Sequence, residues 1–260
     1  MKTEAREAVL SPADVKTILG LCSAEGVLVG GQALAFWVDH LGVRRPQELE
    51  IAVTADADFI GDSALAKKLG EALGWKWWIP NLDDATPQTG KVTHTLADGS
   101  IKQIDLLSGV IGLTTLDVKR RAIDMDVPEI GPLRVMHPID VLDSRIHNLD
   151  LLPGKRNAAG IAQGALATAM VRAFISHELE SRGERVALKL LERVAAVAAE
   201  PGAVRIFLLY GIDPLNAIPL EDFRTNAALH TKRWPQITEQ VSAQREKMRR
   251  LIQTAKSRRK

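Results

Sequence analysis

The sequence predicts an α+β fold, a mixed sheet flanked by helices, followed by an all-α region. Three observations support it. Strand-like and helical periods alternate through the first half, an Asp98-Gly99 turn separates two strand-like runs, and beyond Met136 strand signals largely vanish while helical runs persist. The chain has 260 residues, enough for one large or two modest domains, and the composition shift puts the division at residues 1–135 and 136–260.

Ser11-Pro12-Ala13-Asp14 opens the first helix, with serine at the N-cap, proline at the first helical position and an acid in the first turn. That helix is expected to reach about Cys22. Val27-Leu28-Val29 is a short buried strand that stops at Gly30-Gly31. Gln32 to about Leu41 is helical, with Leu34, Trp37, Val38 and Leu41 on one face, until Arg44-Arg45-Pro46 breaks it. Leu49, Ile51 and Val53 alternate with Glu50 and Ala52, the period of a strand, and lead into Asp56-Ala57-Asp58-Phe59. Ser63 to Leu73 is a helix whose buried stripe is Leu65, Leu69, Ala72 and Leu73. Residues 92–96 and 101–107 form a hairpin around Ala97-Asp98-Gly99-Ser100. Further helices are expected over residues 138–149, 158–177, 184–199 and 223 to about 254.

Composition is that of a globular protein, 46% hydrophobic and 25% charged, and the net charge of +2 gives no global argument for a nucleic-acid partner. The last 16 residues are different: they carry eight Lys or Arg against the single acid Glu246. They read as a solubilising helix end, to which a nucleic-acid acceptor would give a purpose. Cys22 is the only cysteine, which excludes an internal disulfide framework and argues against a cysteine-based zinc site. A cytoplasmic location is expected. MKTEAREAVL is too charged for a secretory signal, no unbroken apolar stretch reaches the ~18 residues of a membrane span, and no membrane partner is expected.

The chemistry centres on three acids. Residues i and i+2 of a strand share a face, so Asp56 and Asp58 project two carboxylates side by side. Adjacent anions repel unless a cation lies between them, and Mg²⁺ favours carboxylate and phosphate oxygens. Asp105 interrupts the apolar strand Ile104-Asp105-Leu106-Leu107, a costly place for a carboxylate without a partner. Gly30-Gly31, between a strand and a helix, lets backbone N–H groups approach a phosphate, although a glycine pair also serves simple turn geometry. The acids likewise have bland readings, as the end of a strand and as an edge residue facing solvent.

The ordered set Leu28-Val29-Gly30-Gly31-Gln32-Ala33-Leu34, Thr54-Ala55-Asp56-Ala57-Asp58-Phe59 and Ile104-Asp105-Leu106-Leu107 resembles the nucleotidyltransferase fold of the DNA polymerase β superfamily. The closest look is to bacterial nucleotidyltransferases of the AbiEii toxin-like kind, over roughly residues 25–115. The resemblance implies an enzyme that moves a nucleoside monophosphate from an NTP to a hydroxyl of RNA, protein or a small molecule. Asp56 and Asp58 would hold Mg²⁺, or Mn²⁺ in its place, and Asp105 would complete a second metal site and help deprotonate the acceptor. Gly30, Gly31 and Gln32 would seat the nucleotide. Many toxin-like members carry a phosphate-binding lysine in the helix that follows the catalytic domain, and here the nearest candidate is Arg145. A catalytically degenerate nucleotide- or partner-binding module and a toxin–antitoxin component with an antitoxin-like partner are the competing readings.

The remaining candidates are weaker. The histidines at 40, 94, 137, 147, 177 and 230 show no metal spacing, and His177-Glu178 reads as a solvated helix pair. Trp75, Trp77 and Trp78 either close a core or interface or stack a base. Asp83-Asp84 reads as a solvated loop, and Arg44 and Arg45 either reach a triphosphate or simply occupy an exposed loop.

Overall fold

The computed structural model describes residues 8–22, 25–45, 56–81 and 83–257. The strand expected over Leu49 to Val53 lies outside the described residues, as does the side chain of Asp56. The chain divides into two compact units, Met1–Trp37 with Glu50–Val141, and Val38–Leu49 with Leu142–Lys260.

The first unit is mixed α+β. Its elements are α1 (Pro12–Cys22), β1 (Val27–Leu28), the start of α2 (Gly30–His40), β2 (Asp56–Ile60), α3 (Ser63–Leu73), β3 (Lys76–Trp78), β4 (Gln88–Thr95), β5 (Ile101–Leu107), α4 (Thr115–Arg121), β6 (Ile123–Val127), β7 (Gly131–Val135) and the first turn of α5 (Pro138–Leu151). The described strands form one seven-stranded sheet in the order β3-β4-β5-β2-β1-β7-β6. β2 runs parallel to β5 and β1 parallel to β7, while the other pairs are antiparallel.

Local chemistry explains most of these boundaries. Ser11 and Asp14 cap α1 reciprocally: Ser11 Oγ accepts from the Asp14 amide at 3.2 Å, and the Asp14 carboxylate accepts from the Ser11 amide at 2.8 Å. Asp62 accepts from the Leu65 amide at the start of α3, and Gly74 ends that helix at φ 65°. The buried stripe of α3 is Leu65, Ala66, Leu69 and Gly70, whereas Ala72 is exposed. The stripe is shifted to take in Ala66 and Gly70 beside Leu65 and Leu69, because the helix lies close to the sheet at these small residues. A side chain at Gly70 would collide with Trp77, and one at Gly90 would collide with Ala66.

The β4–β5 hairpin closes as its turn chemistry predicts, with Gly99 at φ 81° and the Ser100 amide donating to Asp98 Oδ1 at 3.0 Å. Sequence reasoning missed the second hairpin, β6–β7, although Ile123, Met125 and Val127 alternate with Asp124 and Asp126. It also missed α4 and the three-residue β3.

The second unit is helical. It holds the rest of α5, then α6 (Ala158–Arg182), α7 (Glu184–Ala199), α8 (Pro201–Tyr210) and α9 (Trp234–Ser257). The helix expected from residue 223 to 254 is interrupted. Short 3-10 turns cover Pro214–Ala217 and Leu220–Phe223, and a π-helical turn covers Leu229–Arg233 before α9 begins. Pro235 has no N–H, and its ring clashes with the carbonyl four residues back, so a regular α-helical ladder cannot pass through it.

α6 is the one helix among the described residues long and apolar enough to cross a membrane by length and average composition, which the search for an unbroken apolar stretch did not register. Its Leu166, Met170, Val171, Phe174 and Ile175 are buried, and it packs on α7. Glu178 in the same helix is buried and paired with Arg182 at 2.9 Å, so it is not half of a solvated pair with His177.

Candidate functional site

Pairing of β1, β2 and β5 builds the site. The Val29 amide donates to the Asp58 carbonyl at 2.9 Å, which fixes the end of β1 beside β2. Gly30 follows at φ 67° and begins α2 at once, so the glycine pair forms the first turn of the helix. A Cβ at Gly30 would lie 2.1 Å from Asp58 Oδ2. The Asp58 carboxylate therefore rests against the backbone of Gly30, at the helix end whose amides favour negative charge.

Across the next strand pair, Asp58 is in register with Asp105, and Asp56 with Gln103. Paired residues on neighbouring strands share a face at a backbone spacing of ~4.8 Å. Gly30, Asp58 and Asp105 are thus brought together, and the backbone of Asp56 lies one pleat further along the same face. Asp105 is buried and well partnered: Gln88 Nε2 donates to Oδ1 at 2.8 Å, Gln103 Nε2 donates to Oδ2 at 2.7 Å, and Lys91 Nζ lies 3.8 Å from Oδ1. The expectation that a buried acid here needs a partner holds, and in this structure the partners are two amides and an ammonium. Two carboxylates stand in register on adjacent strands here, and carboxylate oxygen is the ligand type that Mg²⁺ prefers.

The other expected residues lie as follows. Gln32 is buried in the first turn of α2 beside Gly31. Arg145 belongs to the helical unit, where it is buried on α5 and donates to Gln163 Oε1 at 3.2 Å. Arg45 donates to both oxygens of Asp39 at 2.6 Å, and Arg44 is exposed. Asp83 and Asp84 are exposed, with Asp84 accepting from the Asn81 amide. Trp77 and Trp78 lie on the edge strand β3 and each remain 42% exposed, with Trp77 packed against Gly70 of α3. Trp75 stacks on His94 with ring centroids 5.3 Å apart.

A second cluster escaped sequence reasoning. In the helical unit, His147 Nε2 lies 3.3 Å from Asp143 Oδ1 and 3.5 Å from Glu200 Oε2. Asp143 and Glu200 hold the imidazole protonated by hydrogen bonding and push its pKa up to about 10, against the opposing effect of burial. The same three residues are also a donor set that could hold a metal ion, which would take the place of the imidazole proton. Asp143 and His147 are spaced as neighbours on one helix face, the only local signal of the group.

The basic segment is more structured than a frayed end. Arg245 pairs with Asp213 at 2.5 Å and lies 3.6 Å over the Phe207 ring, while Arg249 and Arg250 both pair with Glu246. No protein-family model matches this chain, and a search of curated proteins gives no match either.

Proposed function

We propose that the protein is a metal-dependent nucleotidyltransferase whose first unit has the nucleotidyltransferase-like fold, moving a nucleoside monophosphate from an NTP to a hydroxyl acceptor. One observation carries the reading: Asp58 and Asp105 face each other in register, with the Asp58 carboxylate against the positive-φ Gly30 that opens α2. The amides of Gly30, Gly31 and Gln32 at the start of α2 seat the β- and γ-phosphates. Asp58 and Asp105 present carboxylates to the α-phosphate end of the substrate, and Asp56 is the third acid of the proposed set. Mg²⁺, or Mn²⁺, would supply charge neutralisation between these carboxylates and the phosphate oxygens. Asp105 accepts the proton of the incoming hydroxyl, and Lys91 beside it balances charge. Arg145 is the candidate basic residue of the following helix.

A second reading has its own support. Gln88, Gln103 and Lys91 already satisfy Asp105, as a site that binds nucleotide without turnover would permit. Incubation with α-³²P-labelled NTPs, Mg²⁺ and cell extract separates the two. Transfer of label that is lost in Asp58→Asn and Asp105→Asn supports catalysis. Saturable nucleotide binding with no labelled product supports the binding module, and absence of both sinks the nucleotide reading.

A further inference from the structure

In the helical unit, α5 and α8 meet along a stripe of charged side chains. Asp143, His147 and Asp150 recur on α5 at intervals of four and three residues, which puts them on one helix face. α8 answers with Glu200 at its N-cap and Arg205 in its second turn. Arg205 donates to both oxygens of Asp150, at 2.7 Å to Oδ1. Gly202 lies so close to Asp150 that a Cβ there would come within 3.0 Å of Oδ2. These contacts fix the start of α8 against α5 and hold Glu200 beside His147.

One proton cannot serve both carboxylates of this cluster. His147 Nε2 faces Asp143 Oδ1 at 3.3 Å and Glu200 Oε2 at 3.5 Å. Both separations exceed the ~2.7–2.9 Å of a charge-assisted hydrogen bond. They match the edge of a coordination tetrahedron instead. Zinc bonds of about 2.0–2.2 Å to nitrogen and carboxylate oxygen set neighbouring ligands roughly 3.3–3.6 Å apart. The three donor atoms all lie within 4.8 Å of one another, and rotation of the partly exposed Glu200 side chain closes the remaining edge.

Charge and hydrogen bonding point the same way. Two carboxylates and an imidazolium leave a negative charge in excess, which a divalent cation in place of the proton neutralises. Ser144, on the same turn of α5 and 1% exposed, has a buried hydroxyl oxygen without a hydrogen-bond partner among the described residues, as does His147 at Nδ1. Buried polar atoms without partners mark a place whose polar demand the protein alone does not meet.

We propose that Asp143, His147 and Glu200 form a Zn²⁺ site that ties α5 to α8, with solvent completing the coordination. His147 coordinates as the neutral imidazole and releases its Nε2 proton to solvent. The nitrogen ligand selects against Mg²⁺, which takes oxygen, and so sets this site apart from the acids of the first unit. The site stands whether or not the first unit transfers nucleotides.

The test is isothermal titration calorimetry of the full chain with Zn²⁺ at pH 8, after treatment with a chelator and dialysis. Asp58→Asn is titrated in parallel to keep apart any binding at the acids of the sheet. One Zn²⁺ should bind wild type and Asp58→Asn alike, and millimolar Mg²⁺ should not compete. Glu200→Gln and His147→Gln should each weaken that binding at least tenfold. Glu200 is partly exposed at a helix start, so Glu200→Gln should fold as wild type does, and circular dichroism checks each variant. Co²⁺ should give the visible absorption of a tetrahedral nitrogen–oxygen site in wild type and not in His147→Gln. Zn²⁺ should raise the Tm of wild type and leave that of His147→Gln unmoved. Unchanged Zn²⁺ affinity in folded Glu200→Gln and His147→Gln, or no Zn²⁺ bound by wild type, overturns the proposal.

Discussion

The carboxylate of Asp58 and the backbone of Gly30 occupy space that leaves no room for a side chain at position 30, since a Cβ there would lie 2.1 Å from Asp58 Oδ2. The glycine is required twice over, by this approach and by its φ of 67°. Gly30→Ala should therefore displace Asp58, with about 1–2 kcal/mol from the left-handed backbone alone and more from the collision. Denaturant unfolding should show the lower stability. Nucleotide binding, read by equilibrium dialysis, should fall with it.

Asp105 should behave as a functional acid held in place by amides. Asp105→Asn keeps one acceptor for the two glutamine amides, and a flip of the other glutamine lets its Oε1 accept from the new NH2, so folding should be preserved within about 1–2 kcal/mol. Mn²⁺ binding followed by electron paramagnetic resonance should weaken at least tenfold. An unchanged Mn²⁺ affinity would remove Asp105 from the proposed metal site.

The candidate site was legible in the sequence to the extent that local rules govern its placement. Period-2 alternation gave Asp58 its face, Ile104 and Leu106 made Asp105 conspicuous, and Asp98-Gly99 fixed the hairpin that carries it. The pairing of Asp105 with Lys91, and of Lys91 with Trp78, depends on registers between three strands, one of them only three residues long, and a short edge strand carries too little periodicity to announce itself. Glu200 was invisible as a partner of His147 because it comes from the N-cap of α8, a helix that sequence periodicity did not reveal. The expected continuous helix from residue 223 failed at Pro235, whose backbone geometry overrides the apolar period.

His147 should titrate far above its ordinary value of 6.5, at about pH 10, because Asp143 and Glu200 both favour the imidazolium. A raised folded-state value stabilises the fold fully below pH 6.5, and that contribution is lost as pH rises through about 10. Thermal stability of the wild type minus that of His147→Gln should shrink across this window. NMR of the imidazole resonances reads the titration directly, and a midpoint near 6.5 would refute the bridging arrangement.

Cys22 should be inert while the protein is folded. Burial pushes its thiol up to about 12, so almost no thiolate exists at pH 8. Iodoacetamide labelling followed by mass spectrometry should be negligible without denaturant and complete in guanidinium chloride.

Arg245 should matter to the helical unit out of proportion to its place in a basic stretch. It joins α9 to the Phe207 ring and to Asp213, and its side chain is 14% exposed. Arg245→Met keeps the aliphatic stem but leaves Asp213 without its cation, and should cost about 1–3 kcal/mol in urea unfolding. Arg250→Met, with its side chain 76% exposed, should cost under about 1 kcal/mol.

The parallel pairing of β2 with β5 also has a consequence in time. Asp58 and Asp105 are neighbours in space, but α3, β3 and β4 lie between their strands in the chain. A ribosome adding roughly 5–20 residues per second releases the Gly30–Asp58 half seconds before the Asp105 half. Until β5 arrives, the nascent chain carries β2 with an open edge, and β1 stays open on its other side until β7 emerges. Any activity that depends on both acids therefore cannot begin until the whole hairpin of β4 and β5 has left the exit tunnel.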